Sequence, residues 1–311
     1  MHRVIAILAV SVLAIGCSKK KRAPAVEPTA GSAVGAGSGS ARPSEAVAAQ
    51  FDTKCVAGDL EACRSLAVLY TEGVGVARDP GKAAALFGQA CNGGNLSACN
   101  QVALALTEGL GVAKDPAKAI EVYQRTCDAG YHLACRNLGL MFRDGRGVPA
   151  DLERAAKLLD AACTNRAPYA CTNAGDLDAL RAGMGDAMSS AEVHFKQMIA
   201  HYKRGCDDGD PTSCRQMGIA YLQGKGLPTS SSAATVWLDR GCRADDAVAC
   251  RVLGVMLVHG KGVDPDPERG KKLVSRACEL KDREACLEIK AGSATGSGTG
   301  SGSAESGSAA H

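Results

Sequence analysis

The segment Cys91-Asn92-Gly93-Gly94-Asn95-Leu96-Ser97-Ala98-Cys99 holds two cysteines eight residues apart, with the turn-forming pair Gly94-Asn95 between them. Along one straight helix, eight residues rise about 12 Å. A disulfide needs Cα atoms roughly 4.4–6.8 Å apart, so these two sulfurs can meet only if the chain reverses between them. Outward from this segment the same spacing recurs at Cys55/Cys63, Cys127/Cys135, Cys163/Cys171, Cys206/Cys214, Cys242/Cys250 and Cys278/Cys286. The steps between pairs are 36, 36, 36, 43, 36 and 36 residues, which identifies an internal repeat.

The residues between the cysteines repeat as well. A turn signal follows the first cysteine at Gly58-Asp59, Gly94-Asn95, Gly130, Gly209-Asp210 and Asp245-Asp246. After the second cysteine, apolar residues recur at helical spacing, as in Leu66, Leu69 and Tyr70 or Leu138, Met141 and Phe142. The fourth place after it is small in six units (Ala67, Ala103, Gly139, Gly175, Gly218, Gly254), which predicts the close approach of a second helix. A Gly-x-Gly breaker comes next, for instance Gly73/Gly75 or Gly109/Gly111, and then a helix start such as Asp79-Pro80 or Asp115-Pro116. Each unit therefore reads as helix, short loop, helix, with a disulfide joining the second helix of one unit to the first helix of the next. Aromatic residues make up only 4% of the chain, which limits what one large core could bury, and seven staples offset that shortage.

Zinc would need four convergent ligands, usually on cysteines two to four residues apart. Seven isolated pairs fit disulfides in an oxidising compartment instead. The start of the chain points to the same compartment. Arg3 and the apolar run Val4 to Ile15 form a secretory signal, too short to span a bilayer as a transmembrane helix. Leu13-Ala14-Ile15-Gly16-Cys17 resembles a bacterial lipobox, which implies cleavage before Cys17 and acylation of that cysteine. Ser18 after it favours the outer membrane in the familiar sorting pattern. Lys19, Lys20, Lys21 and Arg22 carry more than the whole formal charge of +3, so nothing predicts a nucleic-acid surface; next to an anchor they would meet anionic lipid head groups. The expected organisation is a signal peptide over 1–16, a lipidated Cys17 with a Gly/Ser/Ala/Pro tether over 17–50, the repeat domain over 51–290 and a disordered tail over 291–311.

The A-x₃-L/G-x₂-Y spacing, the G-x-G-V loop and the K-A-x-x-Y helix, best seen in Asp115-Pro116-Ala117-Lys118-Ala119-Ile120-Glu121-Val122-Tyr123, resemble the Sel1-like repeat family. The C-x₇-C staple narrows the resemblance to the cysteine-rich subgroup of secreted Helicobacter proteins. It implies an all-α, right-handed α/α superhelix of about six and a half 36-residue repeats, with a concave face used for contacts with proteins or peptides of the cell envelope. The subgroup's link to β-lactam and peptidoglycan-fragment recognition supplies the alternative reading. The serine β-lactamase motifs are missing apart from one Ser-x-x-Lys, Ser18 to Lys21, inside the expected tether. His194 and His201 lie seven apart with no third ligand evident, which predicts a solvated or packing role. No catalytic residue, cofactor or metal site is predicted.

The fourth unit departs from the pattern. It carries seven extra residues within Arg181 to His201, lacks a clean Gly-x-Gly-Val loop, and has Ala174 and Asp178 where other units have larger apolar residues. The expectation is a longer hairpin, or else a protruding loop with Met184 and Met188 that meets a partner.

Overall fold

The computed structural model describes residues 43–184 and 188–295. Every element within them is an α-helix. Helix α1 (Pro43–Val56) is followed by six hairpins: α2 (Leu60–Glu72) with α3 (Pro80–Asn92), α4 (Leu96–Glu108) with α5 (Pro116–Asp128), α6 (His132–Asp144) with α7 (Leu152–Thr164), α8 (Ala170–Met184) with α9 (Met188–Asp207), α10 (Pro211–Gln223) with α11 (Ser231–Arg243), and α12 (Ala247–His259) with α13 (Pro267–Glu279). Helix α14 (Arg283–Thr295), in the place of a first helix, is the last element among the described residues. Successive hairpins stack, so the molecule is an α/α solenoid.

Local chemistry fixes the helix ends. Asp59, Asp210 and Asp246 cap first helices by accepting backbone N–H bonds, and Asp79, Asp115, Asp151 and Asp266 do the same for second helices. Pro80, Pro116 and Pro267 sit in the first turn, where a missing N–H costs nothing. The first glycine of each Gly-x-Gly takes a left-handed conformation that stops the first helix, as at Gly73 with φ 75°. The second glycine has a further job. At Gly111, also left-handed with φ 72°, an added Cβ would overlap the Pro80 carbonyl, so this loop leans on the start of the preceding unit's second helix.

The small residue predicted to admit a close helix proves necessary. A Cβ on Gly139 would lie 2.9 Å from Leu159 Cγ, and one on Gly218 2.6 Å from Leu238 Cγ. Ala67 and Ala103 are fully buried at the same place. The turn between paired cysteines needs a left-handed residue at its third place. Glycine supplies it at 58, 94, 130 and 209, but Arg166 (φ 56°), Asp245 (φ 65°) and Lys281 (φ 70°) adopt the same conformation without that freedom. The reversal therefore persists in units where the glycine signal is missing.

Two boundaries differ from the sequence expectation. Helix α1 starts at Pro43, inside the stretch expected to be tether, because Glu45 sits in its first turn, Ala48 is buried and Phe51 packs on the first core cluster. Helix α14 runs to Thr295, past the expected edge of the tail. The seven extra residues of the fourth unit lengthen its helices: α8 has 15 residues and α9 has 20, where the other hairpin helices have 13. Met184 ends α8 with 63% of its surface exposed, and Met188 opens α9.

Candidate binding face and the irregular fourth unit

All fourteen repeat cysteines are in disulfides: Cys55–Cys63, Cys91–Cys99, Cys127–Cys135, Cys163–Cys171, Cys206–Cys214, Cys242–Cys250 and Cys278–Cys286, with Cα separations of 4.5–4.7 Å. Each ties a second helix (or α1) to the first helix that follows, and so links consecutive repeats. No thiolate is left among them for nucleophilic or metal chemistry. Among the described residues no group of three or more His, Cys, Asp and Glu side chains converges as metal ligands. Cys17, His2, His311 and the Ser18–Lys21 motif lie outside the described residues.

Where neighbouring first helices meet, they are joined by a polar ladder. Asn137 donates to Asn100 at 2.9 Å, Arg136 donates through Nη1 to Asn137 at 3.3 Å and through Nε to Asn173 at 2.6 Å. Further on, Thr172 donates to Asp210 at 2.5 Å, and Gln216 donates to Asp176 at 3.3 Å. Apart from Asp210, which caps α10 four places before its second cysteine, these residues occupy the first, second and fifth places after the second cysteine, so the repeat itself sets their spacing. Arginine recurs at the first place in four units and a side-chain amide at the second in four, a pattern that is readable only once the units are aligned. Position in the repeat was the one signal available.

The fourth unit holds a second polar cluster. His201 on α9 places Nδ1 2.8 Å from Asp178 of α8 and Nε2 3.2 Å from Asp160 of α7. Asp178 is buried, and the imidazole is its ion-pair partner, which explains how a carboxylate replaces an apolar residue there. Burial by itself would lower the His201 pKa, but the hydrogen bonds and charges of Asp178 and Asp160 outweigh it and raise the pKa above the ordinary histidine value. Beside it, Tyr202 donates to Asp176 at 2.7 Å; burial first, and then Asp176, push its hydroxyl far up. The sequence expectation of a solvated or packing histidine missed this bridge, since its three residues come from three helices. His194 Nδ1 lies 3.2 Å from Gln197 Oε1 on its own helix.

The fourth unit is also where family resemblance breaks. The model of the Sel1 repeat matches residues 60–95, 96–131, 132–165, 211–246 and 247–282, and leaves 166–210 unmatched. A Sel1 repeat protein from Oxalobacter formigenes is 27% identical, with a TM-score of 0.62 over 77% of this chain and 91% of its own. The c5321 protective antigen of uropathogenic Escherichia coli, which displays an SLR fold, is 19% identical with a TM-score of 0.43, covering 76% of this chain and 57% of its own. Cysteine rich protein B of Helicobacter pylori is 22% identical with a TM-score of 0.35 over 44% of this chain and 93% of its own. No curated protein matches. Five matched units within one continuous stack of helical hairpins show that the chain belongs to the Sel1 repeat family.

Proposed function

We propose that the chain is an exported scaffold that holds a polypeptide segment along the face built by its first helices. The observation that carries this reading is the ladder Asn100, Asn137, Arg136 and Asn173. Packed helices stand about 8–10 Å apart, and an extended peptide advances about 3.3 Å per residue. The half-buried amides of Asn137 and Asn173, on neighbouring first helices, therefore match roughly every third residue of an extended chain, while buried Asn100 holds Asn137 in place. Stacked units provide a long surface of this kind without a deep pocket.

Export is supported by the seven disulfides, which persist in oxidising compartments. The anchor belongs to the same proposal: acylated Cys17, with residues up to 42 as a tether, would hold the solenoid at the outer membrane. Among the described residues no helix is long and apolar enough to cross a bilayer.

A photoreactive amino acid at Gln101, the place in its unit that Asn137 occupies in the next, tests the scaffold. In intact cells it should cross-link a discrete polypeptide, while the same probe at exposed Glu121 on α5 should not. Cross-links equal at both places, or only to cell-wall glycan, would reject the polypeptide reading and favour recognition of peptidoglycan fragments.

A further inference from the structure

Arginine stands immediately after the second cysteine in four units, as Arg64, Arg136, Arg215 and Arg251. Three of them face a carboxylate. Arg64 pairs with Glu61; Arg215 Nε lies 3.5 Å from Asp246; Arg251 meets Asp282 at 3.0 Å and Glu284 at 2.8 Å. Asp246 and Asp282 are themselves placed by the repeat, four residues before the second cysteine of the next unit, where each caps the following first helix. The matching place beyond Arg136 is Ala167. Beyond Arg64 that place holds Asn95, and Arg64 pairs with Glu61 of its own helix instead; Arg136 has neither partner, and no carboxylate among the described residues lies within ion-pair distance of it.

The groups that contact the Arg136 guanidinium are neutral. Its guanidinium donates to the amide oxygens of Asn173 and Asn137 and stands over the Tyr169 ring, 5.9 Å from its centroid. Tyr169 is 52% exposed and held at φ 59°, a left-handed conformation that disfavours an aromatic residue. Of the charged neighbours, Arg143 has the same sign. Asp210 already accepts bonds from Thr172, Ser213 and the Thr212 backbone. Arg136 is half-buried, and the loss of water there lowers its pKa.

We propose that Arg136, framed by Asn173 and Tyr169, is a specificity site that takes a carboxylate of the bound peptide in place of the missing capping acid. The inference rests on the scaffold reading and adds the chemistry of its ligand. Among the described residues the guanidinium Nη2 has no hydrogen-bond acceptor, so a carboxylate can receive a charge-assisted bond from it while the two asparagines keep the side chain in place. The aromatic ring offers a flat wall to the flanking residue. An acidic side chain and a peptide C-terminus present the same group, and both can be tested.

The experiment uses the full oxidised chain and 12-residue peptides of Ala, Ser and Gln. One peptide carries a single internal Glu with its C-terminus amidated, one has only a free C-terminal carboxylate, and one is amidated and neutral. Binding is read by fluorescence anisotropy and by the Nε–H resonance of Arg136. At least one acidic peptide should bind ten- to a hundredfold tighter than the neutral one and move that resonance. Two variants should remove the difference: Arg136→Gln, and Ala167→Asp, which supplies an internal carboxylate at the place Asp246 and Asp282 hold in other units, its fold being checked by circular dichroism. Undiminished preference for the acidic peptide in Ala167→Asp would overturn the site, as would a resonance that responds to inorganic phosphate but to no peptide carboxylate. Equal binding of acidic and neutral peptides would also overturn it while leaving the scaffold reading intact. No binding of any peptide would remove both.

Discussion

His201 shows how one residue can bind three helices. A neutral imidazole has one N–H and can donate to only one of Asp178 and Asp160; the protonated ring donates to both. Because the folded pKa is raised, the bridge contributes its full stability below the unfolded histidine value and loses it as the pH rises through the folded value. His201→Gln should therefore unfold at lower urea than the parent, with a gap in midpoint that is wide at pH 6 and narrows by pH 9. A gap independent of pH would show that the ring acts by packing alone. The pairing was hidden in the sequence because Asp160 and His201 are 41 residues apart and meet only through the stacking of hairpins. Arg136 was hidden for a different reason: its meaning lies in the acid that Ala167 replaces, and that comparison needs the contacts of Arg215 and Arg251 first.

At the scale of elements, much more was legible. Cysteine spacing, the small residue four places on, Gly-x-Gly and Asp-Pro each correspond to one physical demand: a reversal, a close helix, a stop and a start. Where one signal is absent, its neighbours carry the element, as at Lys281, whose turn forms without glycine. The N-terminal helix α1 was misread because Pro, Ser and Ala dominate both tethers and helix starts, and only the burial of Ala48 and the packing of partly buried Phe51 tell them apart. The second glycine of the breaker is the strictest of these features. Gly111→Ala would both strain a left-handed residue and force the loop off Pro80, so a loss of about 2–4 kcal/mol is expected in urea unfolding. The same change at Gly88, with nothing within 4 Å of an added Cβ, should be neutral or mildly stabilising.

For the whole molecule, stability is shared between neighbours. Each staple closes a loop of about nine residues and should contribute about 2–3 kcal/mol in the chain-entropy view, but its effect depends on where it sits. Replacing Cys278 and Cys286 by serine should release only α14, so native-state hydrogen exchange quickens over 283–295 and little elsewhere. Replacing Cys127 and Cys135 should speed exchange in the hairpins on both sides, since α5 and α6 are packed from two directions. Uniform loss of protection from either change would indicate a single cooperative unit rather than a row of coupled ones.

The disulfides have a consequence for chain topology. Each spans eight residues and none reaches over a whole unit. As a covalent graph the chain is a thread with seven small rings, not a mesh. A protease cut inside a ring leaves both halves attached, whereas a cut in any Gly-x-Gly loop parts the thread once the helices loosen. Drawn from its two ends, such a thread would pay out nearly its full contour unit by unit, each ring withholding only a short length.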